Sequence, residues 1–231
     1  MNLFYTNHLS SDEGFLGKEE SHHATRVLRM KPGDDILVTN GKGIIYEATL
    51  TEVSKTETPF KIKGIHKEEK EPGGHLHIAI APTKSNDRFE FFLEKATEIG
   101  IGAITPIICD HSERKIYKTE RGQKIIASAA KQSLACWWPV LHDPISLMDF
   151  LENDQKGKCF IAHCENQNMP NILKQLPEYS RVVMLIGPEG DFSPREIELA
   201  KNKGYQECSL GPKRLRTETA GLAVALGYAM I

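Results

Sequence analysis

Residues 181–204 read RVVMLIGPEGDFSPREIELAKNKG. After Arg181, the five residues Val182–Ile186 are an apolar run with β character, as a buried strand requires. Gly187-Pro188-Glu189-Gly190 then breaks it. Ser193 and Glu196 have the spacing of a capping box, Pro194 fits the first helical position, and Gly204 supplies a stop. A strand, a glycine turn and a capped helix in succession form the repeating unit of an α/β sheet. In such sheets ligands sit beyond the carboxyl ends of the strands.

The same rhythm extends outward in both directions. HLHIAIAP (75–82), AITPIIC (103–109), KCFIAH (158–163) and YQECSLG (205–211) read as strands. NDRFEFFLEKATEIG (86–100) places Phe89, Phe92, Leu93, Ala96 and Ile99 at helical spacing, with Gly100 as its stop. GQKIIASAAKQSLA (122–135) is a further helix, and TETAGLAVALGYAMI (217–231) is apolar nearly all round, which predicts a buried helix. Residues 74–231 are thus expected to form an α/β domain with a mostly parallel sheet. Before it, KEEKEPGG (67–74) reads as a linker. The stretch DDILVTNGKGIIYEATLTEVS holds two β runs around Asn40-Gly41-Lys42-Gly43, a hairpin signal, and residues 60–66 offer another strand. Residues 1–70 are expected to be a small β-rich domain, a compact barrel.

Composition narrows the class without deciding it. The 231 residues are 40% hydrophobic and 26% charged, ordinary for a globular protein. No apolar run is long enough for a transmembrane helix. The opening MNLFYTNHLSSDEG lacks the basic start and apolar stretch of a signal peptide, so cytoplasmic residence is the expectation. Cysteines 109, 136, 159, 164 and 208 are odd in number and contain no C-x-x-C pair, against a disulfide framework or zinc ribbon. Cys159, His163 and Cys164 lack a fourth ligand at suitable spacing, so no metal is expected. A net charge of −2 advertises no nucleic-acid partner globally, and any such binding must come from local patches. One candidate is SHHATRVLRMKPGD (21–34), free of acids from Ser21 to Gly33 and carrying Arg26, Arg29 and Lys31. On a helix capped by Ser21 and ended by Pro32-Gly33, Arg26 and Arg29 would share a face.

Two glycine turns carry the chemistry. Gly187-Pro188-Glu189-Gly190 follows VVMLI, and Gly211-Pro212-Lys213 follows ECSL. If their strands are neighbours, both turns frame one cavity. Neither the G-x-x-x-x-G-K-[ST] phosphate loop nor the G-x-G-x-x-G dinucleotide fingerprint occurs. Glu189 and Asp191 would repel a phosphate, and they suit a ligand with a cationic centre or an adenosine bound to backbone. Lys213, Arg214 and Arg216 cluster just before Thr217, the expected N-cap of the last helix with Glu218 in its first turn. Three cations beside a ligand turn suggest a small-molecule pocket that opens onto a nucleic-acid surface.

The segments HHATRVLRMKPGD, KATEIGIGAITPI, SERK, AAKQS, IGPEGDFS and LGPKRLRTETAGLAVAL, in this order and over nearly the whole chain, resemble the RsmE-type methyltransferases of the knotted SPOUT class. That family methylates N3 of a uridine in small-subunit (16S) ribosomal RNA. The resemblance implies a PUA-like β-barrel over 1–70. It further implies a SPOUT α/β domain over 74–231, whose segment from about 160 to 231 threads a trefoil knot and holds S-adenosylmethionine. It also implies a homodimer acting on ribosomal RNA or the small ribosomal subunit. By match of motif, Ala162, His163, Ile186, Gly187, Pro188, Gly190, Leu210, Gly211, Leu215, Arg216 and Thr217 would line the cofactor. Relatives commonly carry a second glycine where this chain has Asp191. They also place an arginine soon after the Gln-Ser pair, where KQSLACWW has none and Lys131 is the nearest cation.

Methyl transfer to N3 of uracil requires loss of the imide proton and alignment with the sulfonium methyl, so positioning should supply much of the rate. Arg114 and Arg216 are the candidates to stabilise a developing uracil anion, with Glu189 or Glu218 as proton acceptors. For Glu218, a purely structural role at a helix start weighs more heavily. Arg26, Arg29, Lys31, Lys84, Arg88 and Arg114 are the candidate RNA contacts. Trp137 and Trp138 are expected in core rather than at an interface. The competing readings are a SPOUT enzyme acting on another RNA or base atom, and a noncatalytic RNA-binding protein that keeps the fold.

Overall fold

The computed structural model describes residues 1–70, 75–153, 155–164, 169–176 and 181–230. Two compact units emerge: Met1–Glu71 together with Ala130–Trp138, and Pro72–Ala129 together with Pro139–Ile231. Of the expected linker, Lys67 and Glu68 end a strand, and residues 71–74 lie outside the described residues.

The first unit contains β1 (Leu3–Tyr5), β2 (Glu13–Leu16), α1 (Lys18–His22), β3 (Asp35–Thr39), β4 (Ile44–Leu50) and β5 (Thr58–Glu68). Its sheet runs β1-β3-β4-β5-β2, with β1 parallel to β3 and the other pairs antiparallel. Phe4, Leu16, Ile36, Val38, Leu50 and Phe60 form its core. The predicted hairpin joins β3 to β4, and Gly41 and Gly43 both adopt positive φ (71° and 99°). They are also places of close approach. A Cβ on Gly41 would lie 2.8 Å from the Trp138 ring, and one on Gly43 2.7 Å from Trp137. The Trp138 amide donates to the Gly41 carbonyl, the Gly43 amide donates to the Cys136 carbonyl, and Trp138 stacks on Tyr5 with ring centroids 4.6 Å apart. Cys136 is buried with Leu3, Leu37 and Ile45. The two tryptophans are half-buried against this hairpin.

The basic segment departs from its expected form. The helix begins at Lys18, before Ser21, and widens into a π turn over His23–Val27. Ser21 does not cap it. Its hydroxyl is buried and donates to the Leu16 carbonyl at 2.8 Å. Arg26 lies in the π turn, while Arg29 lies beyond the helix with φ 54°, so the two do not share a helix face. Pro32-Gly33 belongs to a separate turn, closed by Asp34 N–H to the Lys31 carbonyl. Lys131 is not a spare cation, because its ammonium lies 2.7 Å from Glu20.

The second unit runs β6 (Leu76–Ile80), α2 (Asn86–Ile99), β7 (Ala103–Ile108), α3 (Thr119–Gln132), β8 (Val140–Leu141), β9 (Ile145–Ser146) and α4 (Leu147–Glu152). It continues with β10 (Lys158–Ala162), β11 (Val182–Ile186), α5 (Pro194–Asn202), β12 (Gln206–Cys208) and α6 (Thr217–Ala229). The last three residues of α3 fall in the first unit. The sheet is parallel, in the order β12-β10-β11-β6-β7-β8, with β9 also pairing β7. Every residue of β11 is buried. Val182, Met184 and Ile186 face the core layer that includes α2 and α6, while Val183 and Leu185 face that of α4 and α5. Burial on both faces is why this strand reads as a continuous apolar run rather than an alternation. Gly100 ends α2 at φ 97°, and both halves of the Ser193–Glu196 capping box are formed.

Candidate active site

Register aligns the carboxyl ends of four strands: Cys208 pairs with Ala162, Ala162 with Ile186, and Ile186 with Ile80. The loops that follow therefore leave the sheet at one level. The two glycine turns do frame one cavity there, although their strands are not neighbours. β10 lies between β11 and β12, and its own end closes the floor.

Two hydrogen bonds join the turns directly. Thr217 Oγ1 donates to the Gly187 carbonyl at 3.0 Å, and an Arg214 guanidinium nitrogen donates to the Glu189 carbonyl at 3.0 Å. Thr217 is accordingly not the N-cap of α6. Arg216 holds that place with extended backbone, and the Thr217 hydroxyl is drawn away to the opposite turn.

The cavity has a volume of about 890 Å³, within the range of small-molecule sites. Ala162, His163, Ile186, Gly187, Pro188, Leu210, Gly211, Leu215, Arg216 and Thr217 all line it. Gly190 packs instead against His111, where a Cβ would lie 2.9 Å from the His111 Cβ. Also on the wall are Cys164, Met169, Asn171, Glu189, Asp191, Ser209 and Arg214. Asn171 and Ser209 carry no sequence signal for this place. They meet through a single bridge between a loop and the end of β12, with no local pattern to announce it. His163 is buried and contacts Glu207 at 3.0 Å. Among the described residues no group of three His, Cys, Asp or Glu could hold a metal ion. Burial first, and then the Asp191 carboxylate, push the Cys164 thiol up, away from a nucleophilic thiolate.

Beside the cavity the loops after β6, β7 and β11 are tied together. Glu189 Oε1 accepts from the Lys84 amide at 2.9 Å, and its Oε2 is buried with no hydrogen-bond partner among the described residues. Arg114 donates to the Lys84 carbonyl at 2.7 Å and to the Asn86 side chain. His111 Nδ1 lies 3.1 Å from the Gly190 carbonyl, and Glu196 Oε1 accepts from the Asp110 amide. Lys84 and Arg88 are exposed, and the Lys84 ammonium lies 3.1 Å from Glu113. Arg26, Arg29 and Lys31 are exposed in the first unit. Glu218 is buried in the first turn of α6 and is not part of the cavity lining.

Asp191 is held at φ 62°, where glycine is favoured. Its carboxylate accepts from the Cys164 amide at 2.9 Å and from the Phe192 amide at 2.8 Å.

Comparison with known proteins supplies independent findings. A family model described as an RNA methyltransferase domain matches residues 69–228, and one described as an RNA methyltransferase PUA domain matches residues 16–58. The ribosomal RNA small subunit methyltransferase E of Bacillus subtilis is 32% identical, over 88% of this chain and 84% of its own. The crystal structure of a probable rRNA-methyltransferase from Porphyromonas gingivalis superposes with a TM-score of 0.86 at 36% identity, covering 97% of this chain and 95% of the other. A ribosomal RNA small subunit methyltransferase E from Neisseria gonorrhoeae, solved bound to S-adenosyl methionine, gives a TM-score of 0.80 at 29% identity, covering 97% and 95%.

Proposed function

Since the chain belongs to the RsmE-type RNA methyltransferases, we propose that it methylates N3 of a uridine in small-subunit ribosomal RNA with S-adenosylmethionine as donor. The observation that carries this reading is the cavity at the ends of β10, β11 and β12, closed by two glycine turns bonded to one another.

The residues present fit the cofactor. Ile186, Pro188, Leu210 and Leu215 offer apolar surface for an adenine, and the backbone of the two turns offers donors and acceptors. The Glu189 carboxylate on the same wall favours a ligand of positive charge over a phosphate. S-adenosylmethionine, when bound, supplies an electrophilic methyl group on a cationic sulfur.

The chain's own residues must orient the uracil and receive its N3 proton. Glu189 is the proposed acceptor, because one carboxylate oxygen is fixed by the Lys84 amide and the other has no donor among the described residues. Arg216, on the cavity wall, and Arg114, braced by Lys84 and Asn86, are assigned to the developing negative charge on uracil. Glu218 is assigned to the start of α6, where an acid meets the helix dipole favourably. Arg26, Arg29, Lys31, Lys84 and Arg88 are proposed to contact the RNA backbone.

A homodimer is proposed as well. The expectation that α6 is buried all round holds for one face only: Leu226 and Met230 are 50% and 84% exposed, and Phe91 on α2 is 50% exposed. Action on ribosomal RNA implies residence in the cytoplasm. The decisive experiment is incubation of the protein and S-adenosylmethionine with unmodified small subunits and with naked small-subunit rRNA, followed by nucleoside mass spectrometry. N3-methyluridine at one site is expected. A methyl group on another base or atom would overturn the assignment.

A further inference from the structure

We infer that Asp191 is a positioning residue for the cavity, a latch that holds His163 and Cys164, just past β10, against the turn after β11. The inference rests on the cofactor reading above for its consequence, though not for its geometry.

β10 and β11 are paired up to Ala162 and Ile186, the last rung between them. Beyond that rung the pairing of the two strands stops, one continuing into His163 and Cys164, the other into Gly187 and the glycine turn. The bond from the Cys164 amide to Asp191 Oδ2, at 2.9 Å, rejoins them across 27 residues of sequence. The other carboxylate oxygen accepts from the Phe192 amide at 2.8 Å, which fixes the side chain's direction. Both oxygens are thus committed to protein donors rather than offered to a ligand. The turn itself is closed by Asp191 N–H to the Pro188 carbonyl at 2.9 Å, and His111 braces it from behind, 3.2 Å from the Asp191 carbonyl.

The backbone bears a cost at this place. Asp191 sits at φ 62°, a conformation glycine adopts freely and other residues disfavour. The side chain placed there makes the cross-link that a glycine could not. His163 and Cys164 form one wall of the cavity, and Gly187, Pro188, Glu189 and Asp191 part of another. Holding the two walls together before the ligand arrives removes an ordering cost that binding would otherwise carry.

Glycine and asparagine at this position separate the latch from any general role in folding. Asp191→Gly relieves the backbone and removes both accepted hydrogen bonds. Asp191→Asn tolerates the left-handed backbone and keeps one acceptor oxygen. Calorimetry of the full chain with S-adenosylmethionine should show affinity weakened on the order of tenfold in Asp191→Gly, the scale of one missing charge-assisted hydrogen bond. The asparagine variant should fall between. Thermal stability of Asp191→Gly should equal or exceed that of the parent, and KM for the donor should rise by a larger factor than kcat falls. In cofactor-free protein, hydrogen exchange at the Cys164 amide should accelerate in the glycine variant. Unchanged cofactor affinity in Asp191→Gly, or equal Cys164 exchange in both proteins, overturns the latch. Failure of the parent protein to bind S-adenosylmethionine would overturn the cofactor reading instead, and the exchange experiment would still decide the latch.

Discussion

His77 is a titratable group with no part in the proposed chemistry. On β6, its Nε2 lies 2.7 Å from Thr105 Oγ1, and its ring packs among Phe150 and His142. Burial, and then the neighbouring His142, lower its pKa from 6.5 to about 4. The unfolded chain therefore takes up a proton at a pH where the folded chain refuses it. Stability from this residue is complete above the unfolded value of 6.5 and is lost as pH falls from 6.5 to about 4. The loss should be on the order of 3 kcal/mol by pH 4. Urea unfolding at pH 7 and pH 4 measures it, and His77→Gln should flatten the difference. At the same scale Glu189, Arg114 and Asp191 share one property. Their residue types were legible as chemistry, but their partners (the Lys84 backbone and the Cys164 amide) lie far away in sequence.

Elements whose causes are local could be read directly. The capping box of α5 needs only Ser193, Pro194 and Glu196, and it forms as spaced. The glycine stop of α2 and the Asn40–Gly43 hairpin are likewise decided within a few residues. Where the cause is distant, reading fails. Thr217 looks like a cap until the Gly187 carbonyl, thirty residues away, competes for its hydroxyl. The π turn that separates Arg26 from Arg29 is one turn long, too short to leave a signature in the hydrophobic periodicity. α6 combines two unlike faces. Its inner face is close-packed, with Gly221 so near Phe92 that a Cβ would lie 2.5 Å from the ring. Its outer face still leaves Leu226, and its C-cap leaves Met230, to solvent. If a second copy covers that face, Leu226→Glu should weaken self-association by about 2 kcal/mol or more, because one leucine would no longer be buried there. Sedimentation equilibrium would register the shift toward monomer.

At the scale of the molecule, a net charge of −2 means that affinity for RNA has to be a property of patches. Replacing Arg26, Arg29 and Lys31 by alanine should weaken RNA binding and lower the slope of log affinity against log salt by about 0.7 for each phosphate left without its cation. An unchanged slope would remove these residues from the interface. Strand order is also a property of the whole. The sequence places two glycine turns after two strands, but the insertion of β10 between β11 and β12 follows from how the entire sheet is wound. That insertion gives the cavity its third wall. The combination of IGPEGDFS with LGPKRLRTETAGLAVAL is characteristic of the cavity even where the packing of its residues is not readable.

The contribution of Ala130–Trp138 to the first unit has a consequence for the order of synthesis. A nascent chain that has delivered residues 1–70 already holds all five strands of the first sheet. It still lacks Cys136 beside Leu3, Leu37 and Ile45, and the two tryptophans that cover Gly41 and Gly43. Completion of the first-made unit must wait until the ribosome has also made β6, α2, β7 and α3. The amino-terminal part of the protein is therefore first to be translated without being first to be finished.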